Sequence, residues 1–248
     1  SEMCIRDRYR RTVPCHGAAC RAVDVPCHEG AMPCPAMAVP CHDRAVPCQS
    51  RTALKPCRAT AKPCRRAKGV AFIGLGNMGM PMAANLAAAG HEVTGYDVSD
   101  VRPDSLNMAS SAAAAATGRD AVITMLPDGS TLRQVAADII PVMAAGSALI
   151  DCSTVDGDSA RDVAAMAGEG GLLAVDAPVS GGVGGARNGS LTFMAGGPDA
   201  GFVLAAPLFE IMGAKAVHCG GSGAGQAAKI CNNMILGATM IVTCEAFA

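Results

Sequence analysis

Short apolar runs alternate with alanine-rich helical stretches from residue 69 onward. The runs read GVAFI, HEVTGYD, AVITMLP, SALIDCST, LLAVDAPVSGG and SLTFMAGGP, and most of them finish in polar or turn-forming residues. Runs of this length predict buried strands, and the stretches between them, with 199–212, predict helices. Strands that alternate with helices form a mostly parallel sheet. The pattern therefore predicts an α/β fold with a doubly wound, Rossmann-type sheet.

The first run leads into three glycines with dinucleotide-binding spacing, Gly74-x-Gly76-x-x-Gly79, and then into a helical pattern. This order provides a tight turn, a backbone that can approach a pyrophosphate, and a helix amino terminus that faces its charge. The second run ends in Asp97, 18 positions beyond Gly79. A carboxylate there accepts hydrogen bonds from both ribose hydroxyls of NAD and repels the 2'-phosphate of NADP. The sequence predicts NAD as cofactor, and an ordinary acidic turn residue is the alternative for Asp97.

Polar and turn-forming residues follow three later strands, at Leu126-Pro127, Ser153-Thr154 and Ser180-Gly181-Gly182. Ligands of parallel sheets bind outside the carboxyl ends of the strands, so these positions should share one rim. Any one of them taken alone is equally well explained as a turn former.

A lysine stands near the start of the last helical stretch, GQAAKICNN, which follows a glycine-rich segment. Beyond residue 68 the sequence has only two lysines, Lys215 and Lys229, so Lys229 does not belong to a generic charged surface. Four residues apart on a helix, Lys229 and Asn233 share one face. The run 234–248 is apolar nearly all round, which predicts burial, and is too short to span a bilayer.

Composition divides the chain into two parts. Residues 1–68 hold nine of the 13 cysteines and a recurrent Pro-Cys pair, a composition that predicts disorder. Cys-His neighbours there lack zinc-ligand spacing, so no metal site is predicted. The opening SEMCIRDR resembles a translated sequencing adaptor, and the repeat resembles a translated DNA tandem repeat. We hypothesise that 1–68 is not native coding sequence, which detection of its peptides in the source cells would contradict.

The remaining composition is that of a globular protein. Half of all residues are hydrophobic and the formal net charge is -1, which favours neither nucleic acid nor an anionic membrane as a partner. Four cysteines lie singly in apolar surroundings, which predicts buried, reduced thiols in a cytoplasmic protein: Cys152, Cys219, Cys231 and Cys244. Frequent alanine and glycine favour a bacterial source.

Four motifs of the chain are GLGNMGMPMA, ITMLP, DAPVSGGVGGARNGSLTFMAGG and GQAAKICNNM. Together they resemble the 3-hydroxyisobutyrate dehydrogenases, of the beta-hydroxyacid dehydrogenase family. The resemblance runs from about residue 69 to residue 248. It implies a Rossmann domain over 69–225, and it identifies 226–248 as the start of an interdomain helix whose all-α second domain is missing. The chain would then be a fragment with the apolar face of 234–248 exposed, and the complete protein would be at least a dimer.

The resemblance also assigns roles to individual residues. Lys229 matches the catalytic lysine, Asn233 matches the residue that holds the substrate hydroxyl, and Ser180, Gly181 and Gly182 match the loop that binds the substrate carboxylate. The predicted cofactor contacts are Gly74, Leu75, Gly76, Asn77, Met78, Gly79, Asp97, Leu126, Pro127, Thr131 and Thr154. The implied reaction is NAD-dependent oxidation of 3-hydroxyisobutyrate to methylmalonate semialdehyde in valine breakdown.

Lysine suits this chemistry when its pKa is lowered. An ordinary lysine, with a pKa of about 10.4, is too protonated to act as a base at neutral pH, but burial beside a cationic nicotinamide lowers that value. Lys229 is thus predicted to be general base in oxidation and general acid in reduction. The alternative is a lysine that caps a glycine-rich turn.

Three further expectations remain open. The segment 97–108 is shorter than the family's usual helix and contains Pro103, so the second β-α unit should be trimmed. A tartronate semialdehyde reductase is the alternative enzyme. The alternative to an enzyme is a fragment or relative that binds NAD(P) without catalysing a reaction.

Overall fold

The structure is a computed structural model that describes residues 69–99, 101 and 103–248. The hypotheses about residues 1–68 lie outside the described residues. Over the described part of the chain the α/β prediction is confirmed.

The strands form one sheet of nine within the described residues. They are β1 (Gly69–Ile73), β2 (Glu92–Tyr96), β3 (Asn107–Met108), β4 (Ala121–Thr124), β5 (Ala148–Asp151), β6 (Leu173–Asp176), β7 (Val179–Ser180), β8 (Leu191–Gly196) and β9 (Gly213–Gly220). The α-helices are α1 (Gly79–Ala88), α2 (Ala112–Ala116), α3 (Gly129–Ile139), α4 (Gly157–Glu169), α5 (Gly182–Asn188), α6 (Asp199–Met212) and α7 (Ala224–Phe247).

Six strands run parallel in the order β3-β2-β1-β4-β5-β6. The other three extend the sheet: β8 pairs antiparallel with β6 and β7, and β9 pairs parallel with β8. The strand order reverses between β1 and β4, which is where sheets of this type open a crevice for ligands.

The sheet is buried on both faces because successive side chains of its central strands enter different cores. In β1, Phe72 contributes to one apolar cluster with Phe209, whereas Ile73 contributes to the other with Leu132. Side-chain oxygens of Ser111, Asp128 and Asp156 cap α2, α3 and α4 by accepting a backbone N–H from the first turn of each helix. The central strands therefore have the buried, two-faced environment that their unbroken apolar sequence predicted.

The segment after β2 contains no helix among its described residues, as the short spacing and Pro103 predicted. The next element among the described residues is β3, a strand of two residues. The second β-α unit is thus reduced to a strand connection.

Two predictions about burial are wrong. Only Cys152 of the four scattered cysteines is buried, whereas Cys231 and Cys244 are exposed on α7. The apolar run 234–248 is also exposed, with Ile235 at 69% and Phe247 at 88%, because no described element covers that part of α7. This exposure agrees with the expectation drawn from the resemblance for a chain of this extent.

By length and composition alone, α7 is the one helix among the described residues that qualifies as a membrane span. The helix is Ala224–Phe247, 24 residues long, and the run 234–248 that the sequence analysis considered is its second part. Its first turns are nevertheless hydrogen-bonded into the sheet, as the next subsection describes.

Replacing Phe209 with alanine should lower the free energy of unfolding by about 3–5 kcal/mol, because it removes a buried ring that stacks on Phe193. The matched change Phe247→Ala removes an exposed ring and should shift stability by less than about 0.5 kcal/mol. Urea unfolding followed by circular dichroism measures both. Equal losses in the two variants would contradict this assignment of the core.

Candidate active site

A cleft of about 530 Å³ opens at the carboxyl ends of β1, β2 and β4. It is lined by Ile73, Gly74, Gly76, Asn77, Met78, Gly79, Tyr96, Asp97, Val98, Met125, Leu126, Pro127, Thr131 and Val135. All the predicted cofactor residues except Leu75 and Thr154 therefore meet at one cleft. Most of its surface is apolar, and the polar side chains that line it belong to Asn77, Tyr96, Asp97 and Thr131.

The glycine turn brings the amino terminus of α1 close to the end of β1. A Cβ atom on Gly79 would lie 1.9 Å from the Gly74 carbonyl oxygen, so no larger residue permits this approach. A Cβ on Gly76, by contrast, would meet no protein atom within 4 Å and would project into open space beside the cleft. The turn thus leaves room for a group to contact the backbone, next to helix N–H groups that favour an anion.

Asp97 lies at the end of β2 with both carboxylate oxygens hydrogen-bonded. Its Oδ2 accepts the Leu75 N–H at 2.6 Å, and its Oδ1 accepts the Ser99 N–H at 2.8 Å and the Ser99 hydroxyl. Partial burial favours a raised pKa, but the hydrogen bonds from Ser99 and Leu75 outweigh it and hold the pKa of Asp97 below its usual value. An ionised carboxylate in this position fits the ribose hydroxyls of NAD.

Two predicted cofactor residues lie elsewhere. The Leu75 side chain is buried in the core, and this residue contributes only its N–H, which fixes Asp97. Thr154 is exposed beyond β5 and does not line the cleft. Cofactor contact by Thr154 stays a prediction.

The carboxylate of Asp176, at the end of β6, holds the amino terminus of α7. Its Oδ1 accepts the Gly223 N–H at 2.8 Å and its Oδ2 accepts the Gln226 N–H at 3.0 Å. These N–H groups have no partner within the helix, and a negative charge at a helix amino terminus is stabilising. Asp176 therefore fixes the start of α7 at the carboxyl edge of the sheet.

Lys229 lies one turn further along α7, and its ammonium Nζ donates to the Val179 carbonyl oxygen at 2.7 Å. Val179 directly precedes Ser180, so the amine lies beside the predicted substrate loop, where α5 begins at Gly182. Burial lowers the pKa of Lys229 from its ordinary value. The structure thus brings Lys229 and the substrate loop together, while their functional roles stay predictions.

Asn233 is exposed one turn beyond Lys229, and its side-chain oxygen accepts the Asn232 amide N–H at 3.4 Å. It makes no hydrogen bond to the substrate loop in the described residues. Its predicted contact with the substrate hydroxyl depends on the ligand itself.

A buried polar cluster that sequence reasoning missed lies between the cleft and α7. Ser153 donates its hydroxyl to Asp151 Oδ1 at 2.6 Å and accepts the Leu126 N–H from the cleft wall at 2.8 Å. Thr124 also donates to Asp151 Oδ1, at 2.8 Å. An acidic residue at the end of an otherwise apolar strand, as in SALIDCST and LLAVDAPVSGG, was the available signal for Asp151 and Asp176.

Asp151 is fully buried, and its Oδ2 has no hydrogen-bond partner among the described residues. Burial raises the pKa of Asp151 to about 6, against the hydrogen bonds from Ser153 and Thr124, and the nearby Asp176 carboxylate adds to the rise. Burial likewise raises the pKa of Asp176, although backbone N–H groups oppose it. The two carboxyl groups share one sheet face, because Asp151 and Asp176 are register partners in β5 and β6.

The glycine turn, the acidic residue after β2 and the crevice beside β1 define the class: a dinucleotide-binding α/β domain. Residues 69–221 match the family model of the NAD-binding domain of 6-phosphogluconate dehydrogenase. The chain belongs to this family of NAD-binding domains, and the prediction of NAD as cofactor is confirmed.

Relatives that match the chain include members of the group that its motifs resemble, the 3-hydroxyisobutyrate dehydrogenases. The 3-hydroxyisobutyrate dehydrogenase of Pseudomonas aeruginosa is 48% identical over 187 residues, which is 72% of this chain and 63% of that protein. The NAD-dependent L-serine dehydrogenase of the same organism is 45% identical over 189 residues, 73% of this chain and 63% of that protein. The predicted resemblance is therefore confirmed at the level of the family.

A solved structure supports the same assignment. The Mycobacterium tuberculosis 3-hydroxyisobutyrate dehydrogenase with L-serine superposes with a TM-score of 0.71 at 44% identity, covering 73% of this chain and 64% of that one. The chain thus spans 62–63% of the length of the first curated relatives it matches.

Gly76→Ala should abolish tight NAD binding without loss of stability, because the added methyl group meets no protein atom and enters the space beside the cleft. Gly168→Ala in α4 is the matched control: its methyl group is also unopposed, and it should raise stability by about 0.5–1 kcal/mol without affecting NAD. Calorimetric NAD titration and urea unfolding distinguish the two. Unchanged NAD affinity in Gly76→Ala would place the pyrophosphate elsewhere.

Asp151→Asn should gain stability relative to the unmodified protein as pH rises. The raised pKa means that folded Asp151 keeps its proton after the unfolded chain has lost it, so its contribution to stability is complete below about pH 4 and is lost as pH rises through about 6. A shift of this size corresponds to roughly 3 kcal/mol. Urea unfolding of both proteins from pH 4.5 to 7.5 measures the difference, and a difference independent of pH would refute it.

Proposed function

We propose that the complete protein oxidises a small β-hydroxy acid with NAD, and that 3-hydroxyisobutyrate is the substrate, giving methylmalonate semialdehyde. The observation that carries the proposal is the position of the Lys229 amine. It is half-buried, bonded to the Val179 carbonyl 2.7 Å away, and adjacent to a loop at the same edge of the sheet as the dinucleotide cleft. The names of the relatives support the substrate class.

Each group at this edge has a proposed task. Ser180 and the N–H groups at the start of α5 bind the substrate carboxylate, because those N–H groups lack intrahelical partners. Asn233 orients the substrate hydroxyl, and Asp97 selects NAD over NADP. NAD supplies the hydride acceptor for the carbinol carbon.

Lys229 takes the hydroxyl proton during oxidation and returns it during reduction. Only the neutral amine has a lone pair for this purpose, so the lowered pKa of Lys229 increases the active fraction at a given pH. The Val179 carbonyl accepts one N–H and leaves the lone pair of the neutral amine free for the substrate. The rate of oxidation should consequently rise with pH through the pKa of Lys229, below the ordinary lysine range.

L-serine is a second candidate substrate, because it is also a β-hydroxy acid and a relative that is 45% identical is named an L-serine dehydrogenase. On the central carbon, 3-hydroxyisobutyrate carries a methyl group and L-serine carries an ammonium group. Comparison of their kcat/KM values decides between them. Tartronate semialdehyde reduction, assembly into at least a dimer and a cytoplasmic location stay predictions.

Lys229→Ala should reduce kcat/KM for 3-hydroxyisobutyrate by about 10²- to 10⁴-fold, the usual contribution of general base catalysis, while NAD affinity changes little. Lys215→Ala is the matched control, since Lys215 is exposed on β9. NADH formation at 340 nm and calorimetric NAD titration measure the two effects.

A Lys229→Ala variant that retains the rate of the unmodified protein would overturn the role of the lysine. If the unmodified chain binds NAD but forms no NADH with either acid, the proposed activity does not hold for this polypeptide. A Lys215→Ala loss equal to that of Lys229→Ala would indicate a general effect of removing positive charge.

A further inference from the structure

The side chain of Gln226 is completely buried and hydrogen-bonded at both ends. Its Oε1 accepts the Val155 N–H at 3.2 Å, and its Nε2 donates to the Ser153 carbonyl oxygen at 2.8 Å. Both partners belong to the loop after β5. One amide group therefore joins the first turn of α7 to this loop, using its N–H as donor and its oxygen as acceptor.

The loop after β5 is also connected to the cofactor cleft. Ser153, whose carbonyl accepts from Gln226, uses its hydroxyl to accept the N–H of Leu126, a residue of the cleft wall. A continuous set of hydrogen bonds thus runs from the cleft wall through Ser153 to α7.

Gln226 stands three residues before Lys229, so the two side chains are neighbours on the helix surface. Asp176 already fixes the position of the helix start through the backbone N–H of Gln226. The Gln226 side chain adds bonds to a second element, the loop after β5, at a greater distance from the helix axis than the two backbone N–H groups that Asp176 holds, and bonds away from the axis oppose rotation of the helix.

We propose that Gln226 is a positioning residue, which sets the rotation of α7 so that Lys229 faces the substrate loop in register with the cofactor cleft. The proposal rests on the proposed function for its link to catalysis. The placement of the Lys229 amine, however, is measurable without turnover.

Gln226→Met tests the proposal, since methionine has a similar length but forms neither hydrogen bond. Gln134→Met is the matched control, because Gln134 is exposed on α3. The primary readout is the pH dependence of acetic anhydride labelling at Lys229, followed by peptide mass spectrometry with Lys215 as internal reference. Steady-state kinetics, NAD affinity and circular dichroism accompany it.

In Gln226→Met we expect the labelling midpoint of Lys229 to move upward, because the amine leaves its partly buried position. We expect kcat to fall by about 10²-fold, the cost of a small misplacement of a catalytic group, with NAD affinity preserved. A folded Gln226→Met protein with unchanged Lys229 labelling and unchanged kcat overturns the proposal. A merely structural role would lower the unfolding midpoint without moving the labelling midpoint.

Gln226→Glu provides a second variant. Its protonated carboxyl group can donate to the Ser153 carbonyl and accept from Val155, as glutamine does, whereas its ionised form repels that carbonyl. We expect the labelling midpoint of Lys229 to move upward in this variant as well, because the glutamate is ionised in the pH range where Lys229 is labelled. Failure of both variants to fold would show that Gln226 is structural and would overturn the proposal.

The labelling also separates this inference from the proposed function. A displaced Lys229 in Gln226→Met, together with no turnover in the unmodified protein, supports the positioning role and shows that the proposed activity does not hold for this polypeptide. If the unmodified protein turns over substrate and Lys229 is not displaced in Gln226→Met, the proposed activity is supported and the positioning role is overturned.

Discussion

The hydrogen bonds between the Asp176 carboxylate and the start of α7 are the constraint on which the candidate site depends. They place a helix amino terminus directly on the end of the sheet, and the contact is close enough that a Cβ on Gly225 would lie 2.3 Å from the Met194 carbonyl oxygen. This contact fixes where α7 starts, and the Gln226 side chain is proposed to set the rotation that orients Lys229. A charge that costs free energy to bury is thus compensated by N–H groups that otherwise lack partners.

The candidate site has two parts at one edge of the sheet, the cofactor cleft and the helix that carries Lys229. The cleft beside β1 and β4 is formed by the turn after β1 and by Asp97, from the first β-α-β unit, together with the loop after β4 and the start of α3. The lysine comes from a helix more than 100 residues later in the chain, and it reaches the same edge only because β6, β7 and β8 end beside it. Ser153 joins the two parts, with its hydroxyl bonded to the cleft wall and its carbonyl bonded to α7. The chemistry proposed for Lys229 requires a fixed distance and orientation between the cofactor cleft and the start of α7.

Local features of the sequence predicted the strands, the glycine turn and the end of β2, because strand burial and tight turns depend on residues close together in the chain. The roles of Asp151, Asp176 and Gln226 were not predictable in the same way, since each depends on a partner contributed by another strand or helix. The predicted burial of Cys231 and 234–248 failed for a related reason: an apolar pattern indicates that a surface needs covering but does not supply the element that covers it. The motif resemblance assigned Lys229 and the loop that starts at Ser180 to one site, and the structure adds that the Lys229 amine donates to the Val179 carbonyl beside that loop.

The central claim is that the NAD cleft and the Lys229 helix form a single reaction site. A crystal structure of the chain with NAD and 3-hydroxyisobutyrate tests it most directly. The account predicts the substrate carboxylate at Ser180–Gly182, and the substrate hydroxyl within hydrogen-bond reach of Lys229 Nζ, about 2.6–3.2 Å, on the side of the cleft that holds the nicotinamide. A substrate bound away from Lys229, or a nicotinamide ring directed away from α7, would contradict it.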